Sequence, residues 1–173
     1  MKSTKQLAQC AILISLALVL SYMERFFPLQ MFIPLPGVKL GLANIVTLTA
    51  LYVLDMKSTL FILVLRCVLG SVFGGGVTGL LFSLTGSLFA VAVMAAAKKL
   101  PCFSIYGVSI LGAAAHNVGQ ICAAMLLMQS IYIAAYLPWL LLVALVTGFA
   151  TGSAGAGILR VLLGAAQKSL PEE

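Results

Sequence analysis

Between Lys57 and Lys98 this chain carries a single charged side chain, Arg66. Apolar runs of that length, broken only by glycine, serine and threonine, cannot form the outside of a water-soluble globule. Over the whole 173 residues, 62% are hydrophobic and 8% charged, where a soluble domain carries about a quarter charged. There is too little polar surface to cover the apolar content, so lipid must solvate much of it. Backbone groups in lipid have no water to bond, which leaves closed barrels or helices as the spanning structures. The runs are long enough for helices of about 20 residues. The expected fold is therefore all-α: a single transmembrane domain, 1–173, of six helices over about 6–23, 38–54, 57–73, 77–97, 104–128 and 136–163.

The breaks between these spans are specific. Pro28, Pro34, Pro36 and Gly37 cannot share one regular helix. Their apolar neighbours suggest a loop at the interface or folded over the bundle. Asp55-Met56-Lys57 and Gly74-Gly75-Gly76 read as tight turns, and Lys98-Lys99-Leu100-Pro101 as a basic turn with a helix stop. Residues 129–138 read as a weakly polar loop, with Pro138 suited to a first helical turn. Lys2 and Lys5 ahead of an apolar run mimic a signal peptide. The run ends at Ser21-Tyr22-Met23-Glu24-Arg25, a poor cleavage site, so the segment is expected to stay as the first helix.

The net charge of +6 has no aromatic-interleaved basic patch, so it argues topology rather than nucleic-acid binding. With both termini cytoplasmic, Lys2, Lys5, Lys57, Lys98, Lys99, Arg160 and Lys168 fall inside and only Arg25 and Lys39 outside. Seven against two fits the positive-inside rule and a multi-pass plasma-membrane protein. Small residues at helical spacing supply contact faces: Gly79, Ser83, Gly86 and Ala90 form one stripe, and Gly148, Thr151, Gly152 and Gly155 another. The glycine-rich stretch from Gly148 to Gly157 is a place for the last helix to bend. Cys10, Cys67, Cys102 and Cys122 form no paired motif and read as buried, inert thiols.

The chemistry lies in the polar groups that lipid should exclude. An arginine at mid-bilayer costs about 2.5–3.5 kcal/mol, offset by about 0.3–0.6 kcal/mol from each Leu, Ile, Val and Phe around it. The third span therefore inserts, but Arg66 must face the bundle or a wet cavity. Gly70 and Gly74 follow on its face and leave room. Two readings are open: the guanidinium fork contacts an anionic or polar ligand, or it is tied off by an ion pair with Glu24 or by helix carbonyls. Ser109, Gly112, His116 and Gln120 share a face of the fifth span, with Asn117 one step round. These groups suit ligand contact, proton coupling or interhelical hydrogen bonds. Asn44 and Thr47 share a face of the second span with Gly37 and Gly41, and Lys39 stands at its outer start. If the spans adjoin, Asn44, Arg66, His116, Asn117 and Gln120 converge in the middle to outer half of the membrane, with Glu24, Arg25 and Lys39 at the rim. Arg66 would anchor negative charge, and the others would orient the ligand by hydrogen bonds.

No nucleotide-binding loop is present, because no lysine follows the glycines at 74–76. Asp55 is the sole aspartate, so no carboxylate pair offers magnesium binding or acid–base work. One histidine without a serine elbow gives no hydrolase triad. Neither catalysis, a metal, a cofactor nor autonomous pumping is expected of this chain.

The segment from Lys5-Gln6-Leu7-Ala8 to Glu24 resembles the first helix of the substrate-binding S components of energy-coupling-factor transporters, which are six-helix proteins of this size. Three blocks narrow the resemblance. They are 36–44 (Pro-Gly-Val-Lys-Leu-Gly-Leu-Ala-Asn), 65–71 (Leu-Arg-Cys-Val-Leu-Gly-Ser), and 107–120, from Gly-Val-Ser to His-Asn-Val-Gly-Gln. Together these are similar to the family labelled both "Gx transporter" and "heptaprenyl diphosphate synthase component I", over nearly the whole chain. The S-component resemblance implies an outward pocket gated by the loop after the first helix, a membrane T subunit and two ATPases as partners, and a docking face of small residues. Ala11 and Ser15 are its nearest match here, with serine in place of the usual alanine. The synthase label implies a non-catalytic partner of a soluble prenyl synthase subunit, because the aspartate-rich motifs of prenyl diphosphate synthases are missing. Arg66, Lys39 and the apolar bundle would then receive a prenyl diphosphate or quinone precursor. A ligand-free scaffold is the third reading.

Overall fold

The structure is a computed structural model that describes residues 4–26 and 39–168. Among them are six α-helices: α1 (Thr4–Met23), α2 (Asn44–Val53), α3 (Met56–Gly70), α4 (Gly76–Ala97), α5 (Ile105–Met128) and α6 (Leu137–Lys168). Five segments are long and apolar enough to cross a membrane: Gln6–Met23, Met56–Gly74, Gly76–Ala97, Ile105–Met128 and Ile131–Leu162. The chain is thus an all-helical bundle suited to a multi-pass membrane protein. The proline-rich loop with Pro28, Pro34, Pro36 and Gly37, together with Lys2, lies outside the described residues, as do the side chains of Lys5, Arg25 and Lys168.

The second span differs most from expectation. Among the described residues of the expected span 38–54, helix covers only Asn44–Val53, roughly 15 Å at 1.5 Å per residue, or about half a hydrocarbon core. The cause is Gly41, at φ +83°, a left-handed conformation that turns the chain before the helix starts. The α3–α4 connection is a π-type turn over Ser71–Gly75, with Gly74 at φ 111° and Gly76 at φ +61°. Glycine at both positions lets the chain reverse without a side-chain clash. Gly148–Gly157 is helical throughout, without unwinding. Gly148, Gly152 and Gly155 form the contact face that the small-residue stripe predicts. A β-carbon at Gly148 would lie 2.6 Å from Ile110 Cα, and one at Gly152 3.2 Å from Tyr106 Cα, so α6 lies nearly backbone to backbone on α5. Ser109 and Thr151 share a buried hydrogen bond of 2.8 Å across that contact.

Each end of the bundle is pinned by polar ties. At one end Asp55 caps α3, accepting from Ser58 N at 3.3 Å and from Ser58 Oγ at 2.7 Å. Gln6 of α1 donates to the same carboxylate at 2.7 Å. Lys98 donates to the Leu51 carbonyl at 2.7 Å, with its ammonium 4.7 Å from the centre of the Tyr52 ring. This is the lysine-bearing end, where Lys57 and Lys99 also stand. The opposite end holds the close of α1, the starts of α2 and α4, and the π-turn. Of the four thiols, Cys10 and Cys67 are buried, Cys122 is half-buried and Cys102 is exposed in the turn before α5. The expectation of uniform burial therefore fails at Cys102, because Pro101 stops α4 before that residue and leaves it outside the packed helices.

Candidate functional site

At the end away from Lys57, Lys98 and Lys99, a cavity of about 300 Å³ opens between α1, α3, the π-turn and the start of α4. Its polar lining includes Arg66, Lys39 and Ser83, with Ser21 and Tyr22 from the end of α1, and its apolar lining includes Leu18, Val19 and Phe73. Both cations reach the same stripe of α4. Lys39 Nζ donates to Ser83 Oγ at 2.8 Å, and Arg66 Nη2 donates to Ser87 Oγ at 2.5 Å. Residues four apart in a helix stack on one face, so the two hydroxyls hold ammonium and guanidinium side by side. Arg66 is only 5% exposed, and its Nε has no hydrogen-bond partner among the described residues. A buried donor left in that state is costly, and an anionic oxygen in the cavity would relieve it.

Glu24 joins the site from the 3-10 turn that closes α1. Its buried carboxylate accepts from the Leu42 N–H and so caps the chain entering α2. Burial raises the proton affinity of Glu24, against the opposing influence of the Leu42 N–H and of the Lys39 and Arg66 charges. The Glu24 carboxylate is thus within the electrostatic reach of Arg66, while its hydrogen bond goes to the backbone.

Behind Lys39 stands a second layer. The Gln120 amide, oriented by its neighbours, accepts from His116 Nε2 at 3.0 Å and from Lys39 N at 3.2 Å, and donates to Lys39 O at 3.2 Å. A side chain of α5 therefore clamps the backbone that carries Lys39. The His116 ring lies against α4 at Gly86, the residue next to Ser87. A β-carbon at Gly41 would meet Asn44 Nδ2 at 2.9 Å and His116 Cδ2 at 3.3 Å, which places Asn44 beside the imidazole. Both atoms of the Asn44 amide and the Thr47 hydroxyl are buried without a hydrogen-bond partner among the described residues. Asn117 turns another way, donating to the Leu140 carbonyl of α6 at 2.7 Å. Ala11 and Ser15 lie on the exposed face of α1, where Ser15 Oγ donates to its own helix at Ala11 O, 3.0 Å.

The structure thus gathers Arg66 and Lys39 on one cavity wall and sets Gln120, His116 and Asn44 in the layer behind. Asn117 lies at a helix contact, and Ala11 and Ser15 lie outside the bundle. Sequence reasoning passed over Ser87 and treated Ser83 as packing. The available signal was their i, i+4 spacing on the helix that follows the arginine span.

No group of three or more His, Cys, Asp or Glu suited to a metal ion occurs among the described residues. The family model for heptaprenyl diphosphate synthase component I matches residues 13–158. No curated protein matches the chain, and no solved structure does.

Proposed function

The chain belongs to the heptaprenyl diphosphate synthase component I family, and from that premise we propose that it is a non-catalytic, membrane-embedded binding component of a prenyl diphosphate-forming assembly. It holds a small anionic ligand in the Arg66–Lys39 cavity while a soluble synthase subunit supplies the chemistry. The observation that carries this reading is the pair of cations on one wall, each hydrogen-bonded to a neutral serine hydroxyl. Arginine's planar fork and lysine's point charge both suit phosphate oxygens. Asp55 as the sole aspartate supports a division of labour, since magnesium–diphosphate chemistry needs clustered carboxylates.

Titration of inorganic diphosphate into the protein in lipid nanodiscs tests the site. Arg66→Ala is expected to weaken binding about ten- to a hundredfold, the equivalent of a charge-assisted hydrogen bond worth about 1.5–3 kcal/mol. Unchanged affinity would remove the site. Co-purification of a soluble prenyl synthase subunit from native membranes tests the assembly.

One observation favours a second reading. The cavity lies at the end opposite Lys57, Lys98 and Lys99, and lysines mark the cytoplasmic side. An outward-facing cavity suits capture for uptake, with a membrane T subunit and two ATPases docking on the α1 face that carries Ala11 and Ser15. Recovery of those subunits in place of a synthase would select it.

A further inference from the structure

The cavity's walls define what kind of molecule can use it and by which route. Its apolar side is made of residues whose other faces look out of the bundle: Val19 is 57% exposed and Phe73 67%. They flank an opening between α1 and the π-turn after α3. Gly70 forms the floor one helical turn beyond Arg66, and among the described residues a β-carbon there would meet only Leu18 Cδ2, at 3.9 Å. Among the described residues, the cavity therefore continues from the guanidinium, over Gly70, between the Val19 and Phe73 side chains to the flank of the bundle that lipid would solvate.

The geometry points to a lateral portal: the site takes a single-chain amphiphile with a phosphate head, loaded from the bilayer, and Gly70 is the residue that admits the chain. The inference rests on the anion site proposed above. Two physical arguments carry it. A volume of about 300 Å³ is at the low end for ligand pockets, about 300–1,000 Å³, so head and first chain atoms fill it and the rest of the chain must leave. Leaving sideways keeps that chain in hydrocarbon, whereas leaving through the end of the bundle would expose it to water. The head, conversely, finds compensating charges at Arg66 and Lys39, about a turn in from the portal.

The test compares inorganic diphosphate with farnesyl diphosphate, both titrated into protein held in phosphatidylcholine nanodiscs, with empty nanodiscs subtracted. Farnesyl diphosphate is expected to bind at least about tenfold more tightly, the gain from burying two or so methylene equivalents. Gly70→Leu should erase that advantage, so that within the variant farnesyl diphosphate binds no more tightly than inorganic diphosphate. Val19→Trp narrows the portal from its exposed lip and should act in the same direction, which keeps the test intact if Gly70→Leu does not fold. Equal affinities for the two probes, or a chain preference that survives both substitutions, would overturn the portal. Displacement of farnesyl diphosphate by phosphatidic acid in the same nanodiscs would assign the site to two-chain phospholipid and overturn it too. Failure of inorganic diphosphate to bind, or binding indifferent to Arg66→Ala, would instead remove the underlying anion site.

Discussion

Gly86 of α4 presses directly on the imidazole of His116: a β-carbon at Gly86 would lie 2.8 Å from His116 Cε1 and 2.9 Å from Nδ1. One turn along, a β-carbon at Gly119 would lie 2.8 Å from Thr85 O and 2.9 Å from Gly86 Cα. The two glycines therefore fix how closely α4 and α5 approach. That approach in turn places Ser83 and Ser87 in front of the layer formed by His116 and Gln120. Close packing of this kind drives helix association where hydrophobic exclusion of water cannot.

Gly86→Ala should consequently destabilise the bundle by about 1–3 kcal/mol, the usual cost of overpacking. Gly79 is on the same helix, and a β-carbon there meets nothing within 4 Å among the described residues. Gly79→Ala should be neutral or stabilising by about 0.4–1 kcal/mol, since it only restricts the unfolded chain. Thermal unfolding in detergent micelles compares the two directly. Equal effects would mean that helix propensity, not the His116 contact, governs α4.

Asn117 should matter through α6. Its amide donates to the Leu140 carbonyl at 2.7 Å in a fully buried setting. Interhelical hydrogen bonds in membrane proteins average about 0.6 kcal/mol and reach about 1.7. Asn117→Ala is expected to lower stability by an amount in that range, read as a shift in the denaturant midpoint. A much larger loss would show that Asn117 has partners beyond α6.

The spans were legible because lipid imposes one rule, an apolar run long enough to cross, and turns such as 55–57, 74–76 and 98–101 interrupt it with charge, glycine or proline. The length of α2 was not legible. Apolar periodicity continues through Gly41, and only the crowding of Asn44 and His116 around that residue shows why the chain turns there. Within the site, Arg66 announced itself by its cost in lipid. Ser83 and Ser87 did not, because hydroxyls in such helices commonly bond back to their own carbonyls. Thr85 does so at Leu81 O and Ser153 at Phe149 O. Asn117 shares its neighbourhood in sequence with His116 and Gln120, but a 100° step around the helix sends it to a different partner.

Acid should loosen the lysine-bearing end. The Ser58 hydroxyl, above all, holds the Asp55 carboxyl below its ordinary value of 3.8. The folded chain thus binds this proton less readily than the unfolded one, so the stabilisation is complete above about pH 3.8 and is lost as pH falls through the lower folded value. Asp55→Asn should lower the melting temperature at neutral pH, by a gap that stays constant down to about pH 4 and closes below it. A gap that closes well above pH 4 would assign the acid response to another group.

Gln120 should act on the anion site only through Lys39. Its amide holds both the N–H and the carbonyl of Lys39 at 3.2 Å, and it does not line the cavity itself. Gln120→Leu leaves those two backbone groups without the amide and frees Lys39 to drift from Ser83. The expected result is weaker binding of inorganic diphosphate, by up to about tenfold, the loss of one modest hydrogen-bonded restraint. Lys39→Ala removes the ammonium outright, after which the position of its backbone has no charge to deliver. Gln120→Leu added to Lys39→Ala should therefore cost no further affinity, and the double-mutant cycle should show a coupling close to the whole effect of Gln120→Leu. Additive losses would mean that Gln120 meets the ligand directly, and the layer behind Lys39 would then belong to the binding surface itself.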